Sequence, residues 1–177
     1  IAIGGPAAAS PRGECADFLD RHGLSGRRFV LFLGRLAYVK GPDLLLEAYA
    51  AAAPRLAGLD LVYAGPDHGM AAEVRGRTSR HGLQSRVKFT GYAGAGEKAC
   101  LLGSCEFLAI PSRQEAMSIV ALEAAMHRKA VLLTDRCGFD EVERVGGGRV
   151  AAATTAPPAR LPVEMAAGPA AAVPMGA

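Results

Sequence analysis

EFLAIPSRQEAMSIVALEAAMHRKAVLLTD, residues 106–135, decides the fold. EFLAIPS (106–112) is a short apolar run closed by Pro and Ser, and reads as a buried strand. SIVALEAAMHR (118–128) has no internal Gly or Pro, and Ser118 stands where a helix cap is expected. KAVLLTD (129–135) is a second apolar run. Strand, helix and strand in this order form a βαβ unit, whose two strands run parallel. Both strands are apolar throughout rather than alternating, as strands covered on both faces are.

The same rhythm extends toward the N-terminus. FVLFLG (29–34), LDLVYAG (59–65) and RVKFTGY (86–92) read as three more strands, with helices predicted in KGPDLLLEAYAAAA, GMAAEVRGRTSRHGL and GEKACLLG. Pro42 suits a first helical turn. Beyond residue 135, GFDEVERV suggests a short helix and GGGRVA a last short strand. The expected fold is α/β: an open, Rossmann-like parallel sheet with helices on both faces and right-handed crossovers. The sheet domain is expected over 29–151. Residues 1–28 read as a linker and helical lead-in, and the Ala/Pro-rich 152–177 as a poorly ordered tail.

The chain has 177 residues, half of them hydrophobic, enough for one domain with a core. No apolar run reaches the length of a membrane span. The first residue is Ile and no signal peptide is visible, which suggests a piece of a longer protein. A net charge of +3, no Trp and no basic block argue against a nucleic-acid partner. Cys15, Cys100, Cys105 and Cys137 include no CxxC pair, and are expected as buried, reduced thiols in the cytoplasm. The four histidines are scattered, with no HExxH and no Cys/His cluster, so no metal site is expected.

In open parallel sheets, ligands bind beyond the carboxyl ends of the strands. Arg35 and Lys40 follow the first strand, Gly91 and Tyr92 the third, and Glu115 the fourth. The helix after Glu115 offers free backbone N–H groups and the positive end of its dipole, an anion site that suits phosphate. Arg35 brings a planar fork of donors and Lys40 a mobile point charge. Glu123 stands roughly 7 Å along the axis from the helix start, where a carboxylate can accept two hydrogen bonds from a vicinal diol. Glu115 and Glu123 would then grip the two ends of a sugar–diphosphate–nucleoside. Each residue also has a plain structural account. The cations are ordinary solvated loop residues, Glu115 is an acid favoured near a helix start, and Glu123 is a helix acid paired with Arg128.

Taken together and in order, these segments resemble the C-terminal, donor-binding half of GT-B glycosyltransferases, specifically the retaining enzymes of family 4. GRLAYVKGPDLLLEAY, LDLVYAGPDHG, SRVKFTGY and EFLAIPSRQEAMSIVALEAAMHRKAVLLTDRCGFDEV carry the resemblance over about residues 29–150, with Glu115 and Glu123 as the family's E-x7-E motif. The resemblance implies a UDP- or GDP-sugar donor, with hexosyl transfer that retains the anomeric configuration. It implies diphosphate binding by Gly34, Arg35 and Lys40, and sugar binding by Glu115. Contacts to sugar and phosphate would come from Ala116, Met117, Ser118 and Ile119, ribose binding from Glu123, and nucleobase contacts from Gly91 and Tyr92. Glu115, Arg35 and Lys40 would be the catalytic residues, and no metal or other cofactor is implied. The acceptor would be bound by an N-terminal domain that this chain lacks, and through which membrane association stays open, as does the oligomeric state.

Two departures stand out. Arg128 occupies a turn position where the family favours Gly, and the chain after GGGRV becomes the Ala/Pro stretch. Two other readings stay open. GAGEKA (94–99) formally matches a dinucleotide fingerprint with Glu115 about twenty residues on, although it opens a short helix in mid-sheet. A non-catalytic nucleotide-sugar-binding module would carry the same donor site.

Overall fold

The computed structural model describes residues 12–139 and 141–153. The first part of the expected lead-in and nearly all of the expected tail therefore lie outside the described residues. The lead-in is helical from its first described residue, as α1 (Arg12–Arg21).

The chain then alternates as read. β1 (Arg28–Leu33) leads through a 3-10 turn (Tyr38–Lys40) into α2 (Pro42–Ala52), and β2 (Leu59–Ala64) into α3 (Ala71–Arg80). β3 (Val87–Gly91) precedes α4 (Ala95–Ser104), and β4 (Phe107–Ile110) precedes α5 (Ile119–Met126). β5 (Ala130–Thr134), α6 (Glu141–Arg144) and β6 (Gly148–Ala151) complete it. The six strands form one sheet in the order β3-β2-β1-β4-β5-β6, with every pairing parallel. β3 is an edge strand, so the GAGEKA turn lies at the sheet's margin and not in mid-sheet.

Alternate residues of each central strand point to opposite faces, and both faces are filled. Val30, Phe32, Phe107, Ala109 and Leu132 pack with Leu45, Leu46 and Tyr49 of α2 and Val74 of α3. Phe29, Leu31, Leu108, Ile110, Val131 and Leu133 pack with Phe18 of α1, Leu101 and Leu102 of α4, and Ala121 and Ala124 of α5. That double burial is why these strands read as unbroken apolar runs. Each large apolar side chain so buried contributes roughly 1.5–3 kcal/mol.

Two backbone features shape the ends of the elements. Gly41 adopts φ 66° at the start of α2, and a Cβ there would stand 2.1 Å from the Pro111 carbonyl oxygen. Only glycine lets the loop after β1 lie this close to the end of β4. Arg128, in the turn between α5 and β5, has φ 56°, the one positive φ of a non-glycine among the described residues. The strain expected of an arginine at a glycine position is present, and costs roughly 1–2 kcal/mol.

The cysteine expectation is corrected. Cys15 on α1 and Cys100 on α4 form a disulfide with their Cα atoms 5.5 Å apart. Only Cys105 and Cys137 are free and buried, and burial pushes the Cys105 thiol up to about 12. The expectation of four reduced thiols supported a cytoplasmic setting, and that support is gone. Among the described residues, no helix is long and apolar enough to cross a membrane.

Candidate functional site

The chain runs outward from β1 to β2 and β3, then returns to lay β4 on the other side of β1. That reversal opens a crevice between the carboxyl ends of β1 and β4, where the loops diverge. The β1 loop carries Gly34, Arg35 and Lys40, and the β4 loop carries Ser112 to Ser118. The structure brings Lys40 and Glu115 together there, with Lys40 Nζ donating to Glu115 Oε1 at 2.9 Å. Ser112 Oγ donates to the other carboxylate oxygen at 2.9 Å, and the backbone N–H of Glu115 donates to the Arg136 carbonyl. Beneath them, the Thr134 hydroxyl donates to the Ser112 carbonyl. Glu115 is thus held from three sides, with 14 % of its side chain exposed. Fixed this way, it can present a hydrogen-bond acceptor without reorganising.

The turn bearing Lys40 is braced by residues that sequence reading missed. Arg113 forms a two-pronged pair with Asp43 at 2.8 and 2.6 Å, donates to the Tyr38 carbonyl at 2.7 Å and stacks over the Tyr38 ring. Its own N–H donates to the Val39 carbonyl. Such a fork needs the planar guanidinium of arginine. Burial pulls the Asp43 carboxyl upward. The hydrogen bonds and charge of Arg113, with backbone N–H groups at the start of α2, outweigh it and leave Asp43 below its ordinary range. An acid in the first turn of PDLLLEAY was visible in the sequence, but its partner is 70 residues away, with no local signal.

The β4 loop ends at the N-terminus of α5. Ser118 occupies the cap position, but its hydroxyl makes no capping bond, contrary to expectation. Its Oγ is fully buried without a hydrogen-bond partner. Gly138 (φ 59°) passes so close to the Ala116 carbonyl that a Cβ would stand 2.7 Å from it. This fixes the residues leading into the helix. Ala116, Met117 and Ile119 are exposed beside Ser118.

Glu123, a turn further on, does not pair with Arg128. It accepts from Lys98 Nζ of α4 at 2.6 Å. Arg35 is exposed and makes no ion pair or side-chain hydrogen bond with a described residue. Gly91 (φ 73°) ends β3 and Tyr92, 76 % exposed, follows it at the carboxyl end of the sheet, with β2 and β1 lying between β3 and β4. The GAGEKA turn is occupied by its own side chain: Glu97 accepts from the Gly94 N–H at 2.9 Å. A carboxylate in that position repels a pyrophosphate.

A profile of the family described as "Glycosyl transferases group 1" matches residues 17–158. An alpha-D-kanosaminyltransferase of Streptomyces kanamyceticus is 30% identical over 151 residues, 85% of this chain and 38% of the relative. A D-inositol 3-phosphate glycosyltransferase of Actinosynnema mirum is 36% identical over 122 residues, 64% of this chain and 28% of the relative. The chain therefore spans well under half of these relatives' length. Among solved structures, HepE of Anabaena in complex with UDP and glucose superposes with a TM-score of 0.74 at 21% identity, over 90% of this chain and 43% of that one. WaaG, a glycosyltransferase involved in lipopolysaccharide biosynthesis, superposes with a TM-score of 0.74 at 22% identity, over 90% and 43%. These structural likenesses bear on the fold, which is the doubly covered parallel sheet of a GT-B half.

Proposed function

The chain belongs to the glycosyl transferases group 1 family, and from that premise we propose that residues 29–151 bind the nucleoside-diphosphate sugar, a UDP- or GDP-sugar, in a retaining hexosyl transfer. The acceptor would be held by an N-terminal domain outside this chain. The observation that carries the reading is the convergence of Lys40, Glu115 and the α5 N-terminus in the crevice between β1 and β4.

In this reading Lys40, Arg35 with Gly34, and the N–H groups from Ala116 to Ile119 take the diphosphate. Glu115 takes hydroxyls of the transferred sugar, Glu123 the ribose diol, and Gly91 and Tyr92 the base. The bond between the anomeric carbon and the β-phosphate oxygen breaks. The acceptor hydroxyl oxygen bonds to that carbon on the same face, and its proton passes to the departing phosphate oxygen. The diphosphate leaves with added negative charge, and the two cations and the helix dipole stabilise it as that charge develops. No metal is assigned a part in holding the donor.

Calorimetric titration of the chain with UDP, GDP and NAD tests this. Saturable binding of UDP or GDP, with none of NAD, supports the reading. Binding of NAD alone, or of neither nucleoside diphosphate by the folded chain, overturns it.

A further inference from the structure

We propose that Lys98 is a positioning residue for the nucleoside, setting the carboxylate of Glu123 so that the ribose diol meets it in one orientation. The proposal rests on the ribose role of Glu123 given above. Lys98 Nζ donates to Glu123 Oε1 at 2.6 Å, and Oε2 makes no hydrogen bond with a described residue. One oxygen is therefore tied back to α4 and the other is left to accept. Lys98 is the only described side chain that donates to Glu123. Ile119 and Met126, four residues before Glu123 and three after it on α5, are exposed and apolar, and neither can hold a carboxylate.

The base of Lys98 is rigid. Its own N–H donates to the Gly94 carbonyl at 2.8 Å, and Glu97 caps the same turn. Cys100, two residues on, is bonded to Cys15, and Leu101 and Leu102 are buried in the core. A lysine on a fixed helix converts a flexible glutamate into a preset acceptor, because the support is locked by packing and covalent linkage. α4 also follows directly from the Gly91–Tyr92 loop. The element that sets the ribose acid is thus continuous with the one assigned to the base.

An ordinary surface ion pair contributes little and its loss would be felt by any ligand alike. A positioning role is felt only through the diol. The test is calorimetric titration with UDP and GDP, each beside its 2′,3′-dideoxy form, on the unaltered chain, Lys98→Met and Lys98→Arg. The unaltered chain is expected to prefer the ribose form by about 10-fold. Lys98→Met should reduce that preference to about threefold or less, and Lys98→Arg should keep most of it, with unfolding midpoints nearly unchanged. A full preference retained in Lys98→Met overturns the proposal and leaves the donor reading standing. Absence of UDP and GDP binding by the unaltered chain overturns both. Binding without any ribose preference overturns the role of Glu123 and this proposal with it.

Discussion

Replacing Lys40 with alanine should weaken binding of UDP or GDP about 10- to 100-fold, the range for a hydrogen bond to a charged group. Lys40 has three donors and uses one on Glu115 at 2.9 Å. The other two are not taken up by any described residue, so the ammonium can bridge Glu115 and a phosphate at once. Its removal has two consequences with the same sign. The phosphate loses a cation, and Glu115, one-seventh exposed and still held by Ser112, becomes an uncompensated negative charge beside it. Lys40→Arg should recover part of the affinity, since the charge returns in a different geometry. Affinity of the unaltered chain should fall with added salt more steeply than that of Lys40→Ala. Calorimetry reads each effect, and unchanged affinity in Lys40→Ala would remove Lys40 from the diphosphate site.

Arg113→Ala should destabilise the fold by about 3 kcal/mol, the cost of leaving a buried carboxylate without its partner. Asp43 is 6 % exposed and takes both prongs of Arg113. Binding should suffer as well, because the same arginine fixes Tyr38 and Val39 and so the turn bearing Lys40. The pH dependence distinguishes this pair from packing alone. Asp43 is depressed in the folded chain, so its contribution to stability is complete above its unfolded value and is lost as pH falls through the folded one. Without Arg113, Asp43 loses the two largest causes of its depression, so the variant should gain much less stability than the unaltered chain as pH rises through the acid range. Urea unfolding between pH 3 and about pH 6 measures both slopes. Parallel slopes would mean that the pair carries no linked stability.

The central strands were legible because each is a largely apolar run closed by a glycine or a turn, and because burial on both faces writes a continuous signal into four to six residues. The crevice followed from topology, since Gly34, Arg35, Lys40 and Glu115 all lie just past strand ends. What the sequence does not carry is pairing between elements. Arg113 with Asp43, Lys98 with Glu123 and Cys15 with Cys100 are 70, 25 and 85 residues apart, and nothing local marks any of them. Ser118 shows the limit of a local rule. The cap preference of serine is real, but packing at the end of β4 buries its hydroxyl away from the N–H groups it would meet. Arg128 shows the reverse: a residue poorly suited to its turn was readable from type and position, because only the backbone conformation was at stake.

In the proposed reading a nucleoside diphosphate sits in the β1/β4 crevice, on the N-terminus of α5. A backbone-amide NMR titration with UDP, or with GDP if that is the nucleotide bound, tests this placement. The largest shifts are expected at residues 116–119 and 34–41, with Glu123 following. Shifts gathered at residues 94–98, with 116–119 and 34–41 silent, would contradict the claim and move the ligand to the α4 turn at the sheet's margin.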